Sequence, residues 1–355
     1  MTLPPLLRDL VTRVRPPDRA ADAAVRTHLD ALTKPVGALG RLEDLARRIA
    51  TIRGDPPDPF VRRAVYVLAA DHGVTLRGVS AYPREVTAQM CRNYAAGGAA
   101  INVIARAVRA DVFVVDMGVD ADLSDLDGIL HRKIGRGTAD LAATPAMTRD
   151  EALRAVAVGA ALVDESPPCD IVALGEMGIG NTTAATAMTA ALVGRDVTAV
   201  LGRGTGIDDA GLVRKRDAVE RGVARLRSDA DPLTVLTEVG GFELAGLAGL
   251  VLGAAAAARP VVLDGFISSA AALVAVRWCP AAAGYLFASH CSTEPGHRIL
   301  LDALDLHPLL DLELRLGEGT GAALALPLFD AAAGLLREMA TFERAGVSTH
   351  REPGS

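Results

Sequence analysis

The sequence predicts an α/β fold: a parallel sheet with helices on both faces, joined to a small helical domain built from the two ends of the chain. Composition is the first reason. Half of the 355 residues are hydrophobic but only 3% are aromatic, so the core is Ala, Val and Leu, which suits helices packed closely on a buried sheet. Alternation is the second, because short β-rich runs recur between longer Ala-rich segments. The third is that each run ends in polar or glycine residues.

Taken in order, the first fifty residues read as amphipathic helix. Leu29, Leu32 and Leu39, then Leu42, Leu45 and Ile49, sit among Arg and Asp, with Pro35 and Gly37 breaking the pattern. Arg53 to Pro59 is the clearest linker. Beyond it the strand candidates are Val65–Ala70, Val112–Val115, Ile171–Leu174, Val261–Leu263 and Tyr285–Ala288. They are too short for helices and too uniformly apolar for half-exposed strands, so they are expected at the centre of a sheet. Leu244–Ala258 is too short to span a membrane and reads as a buried helix. From about Gly334, Leu335, Leu336, Met339 and Phe342 mark a last amphipathic helix. The expected division is a large α/β domain over 60–334 and a small helical domain from 1–59 and 335–355, with Thr349–Ser355 a frayed tail.

Parallel strands joined by right-handed crossovers bring the polar residues that follow them to one rim, where such sheets bind ligands. Asp71-His72, Glu176, Asp264-Gly265 and Ser289-His290 all follow strand candidates. Four glycine-rich stretches accompany them: Gly175–Thr183 (GEMGIGNTT), Gly202–Asp209 (GRGTGIDD), Val239–Glu243 (VGGFE) and Leu316–Ala322 (LGEGTGA). Backbone N–H groups in such turns can approach an anion, and Asn181-Thr182-Thr183 before an Ala-rich run is a fair capping arrangement for a helix that could hold phosphate. The alternative is ordinary strand-to-helix turns. Neither the P-loop nor the dinucleotide glycine fingerprint is present. Glu318, set between two glycines, is either a solvated loop residue or a base aimed into a cavity. Lys215, on a helix expected from Asp208-Asp209, is either part of a solvated basic face or a phosphate ligand.

Other functions are disfavoured. The net charge is −6, Lys and Arg form no long run, and stacking aromatics are scarce, which argues against a nucleic-acid partner. Four scattered cysteines without a C-x-x-C, and an N-terminus with charges where a signal peptide is apolar, point to free thiols in a reducing cytoplasm. His290, His297 and His72 lack zinc-site spacing, so no metal and no cofactor are expected. His28, His131, His307 and His350 read as surface residues.

Together these segments resemble the nicotinate-nucleotide–dimethylbenzimidazole phosphoribosyltransferase family. The likeness runs from Lys34–Glu43 (KPVGALGRLE) through Ala70–Val74 (ADHGV), Gly78–Met90 (GVSAYPREVTAQM), Gly97–Asn102 (GGAAIN) and Gly135–Asp140 (GRGTAD). It continues through the four glycine-rich stretches, Val261–Ser268 (VVLDGFIS), Ser289–His297 (SHCSTEPGH) and Met339–Gly346 (MATFERAG), which is most of the chain. Val36, Ala38, Ala70 and Cys291 stand where the family usually has Pro, Ser, Gly and Arg. None of these departures removes an expected catalytic group.

The resemblance implies a Rossmann-like sheet and transfer of phosphoribose from nicotinate mononucleotide to dimethylbenzimidazole with inversion. It implies Glu318 as general base and Glu176 as a stabiliser of positive charge on the ribose. Lys215, Gly204, Asn181, Thr182, Thr183, Ser292, Asp264 and Gly265 are then the phosphate and ribose candidates. Ser80, Tyr82, Gln89 and Leu316 are the benzimidazole-pocket candidates. A homodimer binding small molecules, with no membrane partner, is expected. The alternatives are the same chemistry on another base (benzimidazole, adenine or a phenol), or a non-catalytic nucleotide-binding relative.

Overall fold

Helix ends follow local capping chemistry. A computed structural model describes residues 3–348. Helix α1 (Pro5–Arg13) has Pro in its first turn, and the Asp18 carboxylate accepts the Ala20 N–H to open α2 (Arg19–Ala31). Helix α3 (Arg41–Arg53) ends at Gly54, and β1 (Arg63–Ala70) follows. Next come α4 (Val86–Ala95), α5 (Ala100–Ala107), β2 (Ala110–Gly118) and β3 (Ile129–His131). A reciprocal Thr148–Glu151 capping box starts α6 (Arg149–Glu165), and β4 (Ile171–Met177) turns through Gly178–Gly180 into α7 (Asn181–Val193). After the short α8 (Val197–Val200), α9 (Asp209–Val223) is capped by Asp208 and α10 (Pro232–Val239) by Asp231. Helix α11 (Phe242–Ala256), β5 (Val261–Leu263), α12 (Phe266–Trp278) and β6 (Leu286–Ala288) complete the sheet. Three helices close the chain: α13 (Pro295–Ala303), α14 (Thr320–Glu338) and α15 (Phe342–Ala345).

All six strands are parallel, in the order β3-β2-β1-β4-β5-β6. Strand order reverses between β1 and β4, the place where such sheets open a crevice for ligands. Side chains alternate across β1. Tyr66 and Leu68 join one apolar cluster with α1, α6, α7, α11 and α12, while Val65 and Val67 join a second with α2, α3, α5 and α14. Helix α11 is buried from Phe242 to Ala255, as its apolarity from Leu244 on predicts, and Gly159 of α6 lets the α11 backbone approach, since a β-carbon there would come 1.8 Å from the Gly246 carbonyl oxygen.

All five expected strands form. The sixth, β3, has no counterpart among the strand candidates, because it is three residues long and only Ile129 is buried. The last long helix starts at Thr320 rather than near Gly334, running through Pro327. Val25, Leu29, Ile49 and Leu336 lie in the same buried cluster as Val65 and Val67, so α2, α3 and the end of α14 pack against one sheet face, while Leu7 and Leu10 of α1 join the cluster on the other. No helix among the described residues is long and apolar enough to cross a membrane. His350 and Thr349–Ser355 lie outside the described residues.

Candidate active site

A cavity of about 490 Å³ opens at the carboxyl rim of the sheet. Glu176–Ile179, Asn181 and Thr182 form one wall, and Gly204, Thr205, Gly265, Ser292 and Glu294 another. Arg315–Glu318 close one side and Tyr82, Val86 and Met90 the other. A larger crevice of about 860 Å³ between α3 and residues 304–309 contains none of the residues predicted for the site.

Glu318 sits in three consecutive left-handed residues: φ is +88° at Gly317, +63° at Glu318 and +84° at Gly319. A glutamate rarely adopts that region unless its surroundings hold it there. Its side chain is buried, and Oε2 accepts the Ile101 N–H at 3.3 Å in the first turn of α5, beside the buried Tyr94 hydroxyl. Burial pushes its carboxyl pKa up, while the Ile101 N–H and Tyr94 pull it down. Gly175 of β4 lies beneath it, where a β-carbon would come 2.6 Å from the Glu318 carbonyl oxygen.

Glu176 lines the same cavity. Burial raises its pKa to about 8, the Asp264 charge adds to this, and the Asn181 side-chain amide, hydrogen-bonded to Oε2, opposes it. Glu243 adds a further negative charge nearby; it is fully buried and paired with His72 Nε2 at 2.6 Å. The site thus gathers acidic groups around one cavity, where a cationic ligand would favour their ionised forms.

Donors for an anion line the same cavity. Thr182, Gly204, Gly265 and Ser292 reach the cavity. Lys215 lies just behind the wall, fully buried; Nζ donates to Gly202 O at 2.9 Å and Thr182 Oγ1 at 3.2 Å, and burial lowers its pKa to about 8. The Ser292 N–H donates to His297 Nδ1 at 2.8 Å, which leaves the His297 Nε2–H for Ser269 Oγ at 3.1 Å. Burial holds that imidazole neutral, its pKa lowered to about 3.

Several expectations take a different form. Asn181–Thr183 do not cap α7 from outside: Gly180 (φ +98°) is the cap residue, the Asn181 side chain serves Glu176, and Thr183 is buried off the cavity wall. Asp264 also lies off the wall. Its Oδ1 accepts the Gly321 N–H at 2.8 Å and the Ala322 N–H at 3.1 Å, and its Oδ2 accepts the Gly319 N–H at 3.2 Å. Burial pushes the Asp264 pKa up to about 7 against those three donors. On the base side, Tyr82 and Leu316 flank the mouth, both largely exposed. Ser80 instead packs its hydroxyl 3.1 Å from Thr205 Oγ1, and Gln89 is exposed outside the lining. Val86 and Met90 take the wall, a pair whose i, i+4 spacing on α4 was the available signal. Glu294 is a further lining residue that sequence reasoning missed; its Oε1 accepts the Gly204 N–H at 3.0 Å.

Similarity to known proteins extends over nearly the whole chain. A family model described as "Phosphoribosyltransferase" matches residues 14–347. The nicotinate-nucleotide–dimethylbenzimidazole phosphoribosyltransferase of Roseiflexus sp. (strain RS-1) is 55% identical over 346 residues, covering 97% of this chain and 98% of the relative. The enzyme of that name from Geobacter metallireducens is 50% identical over 350 residues, 98% of this chain and 99% of its own. Among solved structures, CobT from Thermus thermophilus superposes with a TM-score of 0.89 at 52% identity, covering 93% of this chain and 100% of that one.

Proposed function

The chain belongs to the nicotinate-nucleotide–dimethylbenzimidazole phosphoribosyltransferase family, and from that premise we propose how its own residues carry out the transfer. The enzyme moves the 5-phosphoribosyl group of nicotinate mononucleotide to dimethylbenzimidazole, giving α-ribazole 5′-phosphate and nicotinate in cobalamin lower-ligand synthesis. One benzimidazole nitrogen attacks the ribose C1′ while Glu318 takes the proton from the other. The C1′–N bond to nicotinate breaks, and its electron pair returns to the pyridine nitrogen. Because that nitrogen leaves neutral, the departure needs no acid. Attack on the opposite face turns the β-linked substrate into an α-linked product.

The observation that carries this reading is that Glu318 and Glu176 line one cavity together with Thr182, Gly204 and Ser292, with the two acids' loops in close approach through Gly317 and Gly175. Ionised Glu176 would stabilise positive charge spreading over the ribose. Thr182, Gly204, Ser292 and Lys215 would hold the 5′-phosphate, which restores a counter-charge to the buried ammonium. The mouth beside Tyr82, Val86, Met90 and Leu316 would seat the flat, apolar benzimidazole. Homodimerisation and residence in the cytoplasm extend the same reading; three buried thiols and one half-buried thiol, all unpaired, suit a reducing compartment. The direct test mixes the protein with nicotinate mononucleotide and dimethylbenzimidazole without added metal and looks for α-ribazole phosphate. Nicotinate release without that product would reject it.

A further inference from the structure

We infer that Asp264 is a positioning residue for the Glu318 base rather than a ligand of the substrate. The inference rests on the reading of Glu318 as the base. Asp264 closes β5 and is 1% exposed, so water does not satisfy its carboxylate. Both oxygens are spent on the three main-chain N–H groups of Gly319, Gly321 and Ala322. Those residues directly follow Glu318 and form the first turn of α14, where the helix dipole also favours a negative charge.

The tie is placed where the backbone needs one. Glu318 holds a positive φ between two glycines that do the same, and such a run relaxes unless something fixes its ends. From below, Gly175 meets the Glu318 carbonyl. Downstream, Asp264 anchors the peptide that leaves the base. The His290 ring fills the space a side chain at Gly321 would need, and the Ser289 hydroxyl lies 3.4 Å from the Asp264 carbonyl oxygen and 3.0 Å from His290 Nδ1. Asp264 therefore links β5, the Ser289-His290 turn and the base loop into one rigid unit. An asparagine has the same shape but cannot accept from all three donors. Whichever way its amide turns, an NH₂ faces a main-chain N–H.

The test compares Asp264→Asn with Glu318→Gln on two acceptors, dimethylbenzimidazole and a nitrobenzimidazole whose N–H is more acidic. We expect kcat of Asp264→Asn with dimethylbenzimidazole to fall by about 10²-fold while KM for nicotinate mononucleotide stays within about 3-fold. With the nitrobenzimidazole, which loses its proton more readily, the deficit should shrink by about 10-fold or more, in parallel with Glu318→Gln. A rise in nucleotide KM at unchanged kcat would make Asp264 a ligand and overturn the inference. Equal losses with both acceptors, or loss of nucleotide binding altogether, would overturn it in favour of a role in folding alone. An inactive Glu318→Gln beside a fully active Asp264→Asn would remove Asp264 only, whereas a fully active Glu318→Gln would remove the base reading and this inference with it.

Discussion

The Glu176 carboxylate occupies the space beside Gly317, so that a β-carbon at 317 would come 2.3 Å from Oε1. Gly175, the residue before Glu176, makes the reciprocal approach to the Glu318 carbonyl. Each acid is thus wedged by a glycine next to the other, and neither loop can shift alone.

Gly317→Ala should therefore damage catalysis more than binding. The added methyl displaces Glu176, and φ of +88° is strained for any L side chain. We expect kcat to drop by about 10²-fold or more and stability to fall by about 1–3 kcal/mol, read by steady-state kinetics and urea unfolding. Near-normal turnover would show that the wedge is dispensable.

Glu318→Gln keeps the shape of the proposed base and removes its proton affinity. Turnover should fall by about 10²- to 10⁴-fold with nucleotide KM little changed. In the native enzyme, kcat should rise with pH as the Glu318 carboxyl, held above its usual range by burial, gives up its proton. The variant should lack that acidic limb.

Lys215 supplies the opposite limb. Its ammonium is desolvated and its pKa lowered to about 8, so the free enzyme loses this charge as pH rises through that value. We expect kcat/KM for nicotinate mononucleotide to decline above about pH 8, while kcat does not, because bound phosphate keeps the lysine protonated. Lys215→Ala should raise the nucleotide KM by about 10- to 100-fold, as for a lost charge-assisted hydrogen bond.

Glu176 predicts a pH-dependent stability. Its pKa is about 8 in the folded protein against 4.5 as the ordinary value, so folding binds its proton more tightly. That contribution is fully present below about 4.5 and is lost as pH rises through about 8. Glu176→Gln, which cannot ionise, should melt roughly 2–6 °C higher than the native chain at pH 9 and about equally at pH 4.5. Equal melting at both values would mean that the carboxylate is not strained by burial.

Most of the fold could be read because its strands are continuous apolar runs ended by polar residues, the pattern that burial on both faces demands. Strand β3 carries too few apolar residues for any periodicity to register. The start of α14 was hidden because GEGTG reads as loop and Pro327 as a break, although the helix runs through both Gly321 and Pro327. At the candidate site, glycine stretches and strand ends marked loops that the structure brings to one cavity. Individual roles depended on which partner lay across the rim. Asp264 looked like a rim ligand because nothing local says that the α14 N-terminus arrives above it. Lys215 sits one layer behind the wall, tied to the Gly202 carbonyl and Thr182, a placement that no local sequence signal gives. Val86 and Met90 carry no polar signature, and only their i, i+4 spacing on α4 marks them.

From Leu244 on, helix α11 is apolar around its whole circumference and owes its solubility to what surrounds it. During synthesis its cover is incomplete until β5 and α12 have emerged, roughly twenty residues later. A chain interrupted between about residues 256 and 278 would thus present a bare greasy rod to its neighbours, and such fragments should clump rather than persist as soluble partial enzymes.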